Sequence, residues 1–444
     1  MQNQDISLIP YILENMGDAV CVTNRRGELQ YMNPAAEKLL GISFSAGASA
    51  KIWEAIPFVE TNDELVQLFI QAIQANESSR QVLVKYENTE GRVSHVRVSL
   101  TRRDENGGTF LIVLSDLTEL LRVTDAFVRY TSPQIANYVL NTPGGEAQGG
   151  ASREVSILFA DLRGSTALST GMPAGRLVNL LNRFFEKMVE VVVRCRGTVI
   201  EFLGDCIFAV FNAPSEDPDH ALHAASCAIG MQNALLEVNE ISRACGDPAL
   251  SIGIGVHTGV CVVGNIGSQD KMKYGCVGEA VNLAARIESL AVGGEVLVSG
   301  YTASLIPDLE VRGSREFLPK GAKEPMAVMD ITGAGSDRLL RQDEETAWIC
   351  LSPAAEISFR TLDERKYVNE AAMAGQVAAL APDGSRALLR CDPELPVSAD
   401  LVIDIGGMLY AKVTGLEKGC AVLCFTSKPE SFGAWFRNLS GSAE

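Results

Sequence analysis

Two aspartates stand where an apolar, strand-like run meets a glycine turn. Asp161 ends Ile157-Leu158-Phe159-Ala160 and is followed by Leu162-Arg163-Gly164-Ser165-Thr166, while Asp205 ends Glu201-Phe202-Leu203-Gly204. A carboxylate at that position lies at the edge of a packed core, where it must be paired or metal-bound if it is withdrawn from water. Two of them on neighbouring strands form a split clamp for divalent cations, the charge arrangement that phosphate chemistry needs.

A third motif lies downstream, with Lys271-Met272-Lys273-Tyr274-Gly275-Cys276-Val277-Gly278 leading into Glu279-Ala280-Val281-Asn282-Leu283-Ala284-Ala285-Arg286. In this order and spacing the three motifs resemble the class III nucleotidyl cyclases over residues 151–333. The resemblance implies an α+β sandwich in which the ribose 3′-oxygen of a nucleoside triphosphate attacks the α-phosphorus and expels pyrophosphate. It implies two Mg²⁺ or Mn²⁺ ions per site, held at Asp161, Leu162 and Asp205. Phosphates would lie along Leu162, Arg163, Gly164, Ser165 and Thr166, where backbone amides enter a helix. Asn282 would orient the ribose, and Arg286, one helical turn on, would offset α-phosphate charge in the transition state. Lys320 matches the position that holds the terminal phosphate. The family's site forms only across a head-to-tail dimer, so a homodimer with two equivalent sites is expected.

Base choice falls to two positions at which this chain departs from the family's ATP users. Glu201 replaces a lysine, and Gly275 replaces an aspartate or threonine. A carboxylate accepts from guanine N1–H and the 2-amino group but faces the N1 lone pair of adenine, so GTP is favoured over ATP. The alternatives are an adenylate cyclase and a degenerate scaffold that binds nucleotide without turnover.

Composition narrows the remaining possibilities. At 444 residues the chain is long enough for about three domains. A net charge of −17 argues against binding bulk nucleic acid, which needs a basic surface. No apolar run approaches the roughly 20 residues of a membrane span, and no signal-like start is present, so a cytoplasmic location is expected. The 11 cysteines are mostly scattered in apolar runs and read as reduced core residues. Cys420 and Cys424 lie in an alternating run and lack the further ligands of a zinc site.

The elements that position these residues follow from periodicity. Residues 1–120 begin with a helix-like stretch at 6–16, the run Asp18-Ala19-Val20-Cys21-Val22-Thr23, a turn at 24–27 and the run 29–41 with Asn33-Pro34-Ala35-Ala36, with later strand candidates at 81–86 and 93–101 before 109–116. This resembles a PAS sensor domain. Helical spacing over 117–140 predicts a coupling helix before a glycine-rich break at 142–150, so 121–150 reads as coupling helix and linker. In the catalytic region, a strand at 155–160, a helix on Leu177, Leu180, Leu181, Phe184, Phe185 and Met188, and a hairpin at 198–211 turning at Gly204-Asp205 are expected. A helix over 218–236, a strand pair at 250–263 broken at His257-Thr258-Gly259, and a helix over 280–290 follow. His95 reads as a surface or core histidine, and His220, His223 and His257 read as structural, the helix pair His220 and His223 standing without the carboxylates that a metal site would add. Residues 345–444 alternate over several short runs and predict a small β-barrel with a final helix, faintly similar to PilZ domains. Arg360 and Arg365 do not have the spacing of a cyclic-dinucleotide motif.

Overall fold

The structure is a computed structural model. It describes residues 8–43, 50–75, 81–103, 108–318, 324–340, 348–362, 367–382, 384–397 and 399–441. The chain divides into two compact units, Met1–Tyr130 and Thr131–Glu444.

The first unit opens with α1 (Leu8–Asn15), β1 (Ala19–Asn24), β2 (Leu29–Met32) and α2 (Pro34–Leu40). The start of α2 is written locally: the Asn33 side chain accepts from Ala36 N–H, Pro34 occupies the first turn, and Gly41 ends the helix at φ 65°. A helix not expected above, α3 (Asp63–Ala75), buries Leu65, Phe69, Ala72 and Ile73. Then come β3 (Val82–Glu87), β4 (Val93–Arg103), β5 (Thr109–Asp116) and α4 (Thr118–Tyr130). The sheet is antiparallel in the order β2-β1-β5-β4-β3. Its core-facing rows are Val96, Val98 and Leu100 on β4 and Phe110, Ile112 and Leu114 on β5, the alternation visible in sequence.

The expected single helix over 117–140 is two helices. Proline at 133 removes a backbone donor, and the Ser132 side chain accepts from Ile135 N–H at 3.3 Å, so α5 (Pro133–Asn141) starts afresh after α4. The second unit continues with β6 (Gly149–Leu162), α6 (Ser165–Gly171), α7 (Ala174–Arg194), β7 (Thr198–Leu203), β8 (Cys206–Phe211) and α8 (His220–Ala244). It then adds β9 (Ile252–Gly267), β10 (Met272–Val277), α9 (Glu279–Leu290), β11 (Val296–Ser299), α10 (Gly300–Ser304), β12 (Glu310–Phe317), β13 (Met326–Ala334) and β14 (Asp337–Arg338). Seven strands follow the order β12-β13-β11-β9-β6-β8-β7, with β10 on β9 and β14 on β13.

Both faces of this sheet are covered, which is why β6 reads as a continuous apolar run. Leu158, Ala160 and Leu162 pack with Leu180, Phe184, Met188 and Ala228 of α7 and α8, while Val155, Ile157 and Phe159 pack with Ile135, Ala280 and Ala284 of α5 and α9. Two expectations are corrected here. The break at 142–150 ends early, because Gly149 and Gly150 already pair with Asn265 and Gly264. Residues 250–263 are not a broken pair: from Ile252 on they belong to one 16-residue strand, β9, paired to β6 from Asn265 to Ile252. Gly259 does not turn the chain; a Cβ there would stand 2.8 Å from that of Ala280, so glycine lets a helix approach.

The last part is a closed barrel, β15-β16-β17-β20-β19-β18. Its strands are β15 (Ile349–Thr361), β16 (Met373–Leu380), β17 (Arg386–Cys391), β18 (Asp400–Asp404), β19 (Met408–Glu417) and β20 (Cys420–Ser427), followed by α11 (Phe432–Ser440). β15, unexpected because Pro353 and a register shift interrupt its alternation, supplies the strand that closes it. Inside are Phe359, Val377, Leu389, Leu401, Leu409, Val413 and Leu423, and Phe432 of α11 packs on Phe425 at 5.5 Å. Arg360 lies on β15, whereas Arg365 falls outside the described residues.

Candidate active site

β6 and β8 are antiparallel neighbours with Ala160 opposite Ile207, so Asp161, next along β6, emerges beside the β7–β8 turn that carries Asp205. Gly204 makes that turn in the left-handed region, at φ 68°. Burial raises the Asp161 carboxyl above its ordinary range; Arg163 opposes this and the Asp205 charge adds to it. Arg163 holds Asp161 at 3.7 Å and also pairs with Glu288 in the last turn of α9. Burial lowers the Arg163 pKa, and Asp161 works against that shift. The Oδ2 atom of Asp205 is buried with no hydrogen-bond partner. An unmet carboxylate oxygen costs on the order of 1–3 kcal/mol, and a bound cation would satisfy it. No cluster of three His, Cys, Asp or Glu side chains suited to a metal occurs among the described residues. A cation here would therefore take two carboxylates and complete its shell from main-chain, water and substrate oxygens, the ligand set Mg²⁺ commonly accepts.

The segment from Leu162 to Thr166, expected to meet the phosphates, turns at Gly164, φ 74°, and enters α6, on which Ser165 and Thr166 lie. Asp161, Leu162, Arg163, Gly164 and Ser165 line one wall of a cavity of about 730 Å³, and Tyr410 and Lys412 of the barrel line another. Lys412 is buried and donates to the Ser289 carbonyl near the end of α9. Nothing in the sequence links these two segments.

Glu201 sits on β7 beyond a bulge and is half-exposed, and its carboxylate pairs with Lys273 of β10. On β10, Tyr274 and Cys276 point into the core, so Lys273 and Gly275 share the outward face. The structure thus brings Glu201 and the β10 motif together and adds Lys273, which was absent from the expected set. The signal was its position two residues before Gly275 on an alternating strand; the pairing itself is tertiary.

Ala280, Ala284 and Ile287 bury the inner face of α9, leaving Asn282 and Arg286 on the other side, with Asn282 exposed. Neither lines the cavity at Asp161 in the single chain. Lys320 lies outside the described residues. Two buried histidines bond to hydroxyls: His257 Nδ1 is 2.8 Å from Ser299 Oγ, and His220 Nδ1 is 2.9 Å from Ser156 Oγ. His223 does have a carboxylate partner, Asp217 at 2.7 Å, six residues upstream, because the loop before α8 folds back on the helix. All 11 cysteines are free.

Residues 148–329 match the adenylate and guanylate cyclase catalytic domain family, and residues 9–117 match the PAS fold. The chain carries a class III cyclase catalytic domain behind a PAS fold. Adenylate cyclase 1 of Rhizobium meliloti (strain 1021) is 34% identical over 184 residues, which are 41% of this chain and 28% of that protein. The structure of the guanylyl cyclase Cya2 is 43% identical, covering 43% of this chain and all (100%) of that one, with a TM-score of 0.42. The adenylyl cyclase CyaB from P. aeruginosa is 32% identical, covering 43% and 99%, with a TM-score of 0.40. The chain spans 28% to 41% of the length of curated relatives that it matches. Class III cyclases generally use divalent metal ions. No described helix is long and apolar enough to cross a membrane.

Proposed function

We propose that this chain is a guanylate cyclase that converts GTP to cyclic GMP and pyrophosphate, with the PAS fold supplying regulatory input. The observation that carries the choice of base is the Glu201 carboxylate at the exposed end of β7, paired with Lys273, which shares the outward face of β10 with Gly275, a residue that offers no side chain. Glu201 accepts from guanine N1–H and the 2-amino group, and the same carboxylate opposes the adenine N1 lone pair.

Asp161, Asp205 and the main-chain oxygen of Leu162 hold the cations, with Arg163 fixing the Asp161 side chain. Two Mg²⁺ or Mn²⁺ ions, when bound, make the ribose 3′-hydroxyl more acidic and screen the triphosphate. The segment from Leu162 to Thr166 receives the phosphates, Asn282 orients the ribose, Arg286 offsets charge at the α-phosphate, and Lys320 holds the terminal phosphate. Because neither Asn282 nor Arg286 lines the cavity at Asp161 of its own chain, the complete site draws on a second copy in head-to-tail contact. Exposed apolar side chains on β7, β9 and β10 suit that contact: Phe202, Leu203, Val260, Val262, Met272 and Val277 are 42–61% exposed.

Purified protein given GTP or ATP separately with Mn²⁺, with products identified by mass, tests the reading. Cyclic GMP is expected from GTP at several-fold higher kcat/KM than cyclic AMP from ATP, and Asp161→Ala should abolish both. A preference for ATP would refute the choice of base, and absence of either product from folded dimer would refute the activity.

A further inference from the structure

We propose that Lys273 is a second base-reading residue, donating to the 6-oxo group of guanine while Glu201 accepts from N1–H and the 2-amino group. The inference rests on the guanine reading of Glu201 and deepens it.

Three observations place Lys273 there. It stands two residues before Gly275 on β10, and the inward burial of Tyr274 and Cys276 fixes both on the opposite face. Its ammonium reaches across to the Glu201 carboxylate, so the two charged heads converge on one spot although their strands are not paired in the sheet. That spot is open: the side chains of Lys273 and Glu201 are 48% and 44% exposed, and a Cβ built on Gly275 would meet nothing closer than 3.6 Å. A planar base has room beside Gly275 with both heads at its edge.

The hydrogen-bonding chemistry of the pair matches one purine. Along its Watson–Crick edge guanine presents an acceptor at O6 and donors at N1 and the 2-amino group. An ammonium beside a carboxylate presents the complementary order, a donor and then acceptors. Adenine presents a 6-amino donor and an N1 lone pair, which puts donor against ammonium and lone pair against carboxylate. Glu201 alone discriminates at N1; with Lys273 the mismatch occurs at two points, and sites that leave polar groups unpaired reject the wrong ligand most strongly. An ammonium retains further donors after bonding one carboxylate oxygen, so it can hold Glu201 in place and still donate to the base.

The test uses full-length protein with Mn²⁺ and compares kcat/KM for GTP and ATP in wild type, Lys273→Met and Lys273→Arg. Loss of a charge-assisted hydrogen bond predicts that Lys273→Met lowers the GTP/ATP ratio about tenfold to a hundredfold, chiefly through GTP, and that Lys273→Arg restores most of it. 2-Aminopurine riboside triphosphate, which keeps the 2-amino group but lacks O6, should be affected least by Lys273→Met. Binding of inorganic triphosphate and the melting temperature should stay as in wild type, reporting that the fold and the phosphate end are intact. An unchanged or increased GTP/ATP ratio in Lys273→Met would overturn the inference, since Lys273 would then only neutralise Glu201. A wild-type enzyme that prefers ATP would instead overturn the guanine reading on which the inference rests, whatever the variants do.

Discussion

His257 is kept neutral by its surroundings. It is buried in β9 against Ser299, and burial pushes its pKa from 6.5 down to about 4. In that window the unfolded chain binds a proton that the fold refuses, so stability falls as pH drops from 6.5 towards 4, by about 3 kcal/mol for this group alone. Urea melts across this range should show a shallower pH slope for His257→Gln than for wild type. Asp205 illustrates the opposite relation between a group and its setting, since its Oδ2 is buried without a hydrogen-bond partner, a cost that a cation in the proposed site would offset. Asp205→Asn should keep or improve thermal stability without metal and weaken Mn²⁺ binding at least tenfold, read by the electron paramagnetic resonance of free Mn²⁺. At this scale the sequence was informative about placement, since Asp161 and Asp205 do stand together at a strand end and a glycine turn. Lys273 and the Arg163–Glu288 pair were not legible, because each joins segments far apart in the chain.

Elements were legible where one period dominates. β4 and β5 alternate cleanly, and the apolar row of α7 falls on one helical face. Long β9 was misread because its glycines look like turn signals but serve as close contacts. At Gly255 a Cβ would run into the backbone of Glu288, so the absence of a side chain is what lets α9 lie on the sheet. Gly255→Ala should therefore push α9 outward, moving Glu288 and Arg163 together. The expected result is a loss of about 1–3 kcal/mol of stability and a fall in cyclase activity larger than that loss explains, measured by urea unfolding and product formation at a temperature where the variant stays folded. The single helix expected over 117–140 failed for a similarly local reason, the Ser132-Pro133 start signal inside an otherwise continuous apolar spacing.

For the whole molecule, the barrel is the part that sequence left least defined, since a closed sheet is built from pairings between distant, short runs. Its buried Lys412 seats it on the Ser289 carbonyl, where a cation meets the negative end of α9. Replacing Lys412 by Met should speed amide exchange in residues 288–291 about tenfold, as expected from losing one charged hydrogen bond, while the barrel interior stays protected. α9 carries Asn282 and Arg286 on one side and, through Glu288, braces the Arg163–Asp161 pair of its own chain. In the proposed dimer a single helix therefore belongs to two reaction centres at once, one on each side of the twofold axis. A helix held in common couples the two centres of the proposed dimer, so nucleotide titrations of the intact dimer should depart from the curve of two independent, equal sites.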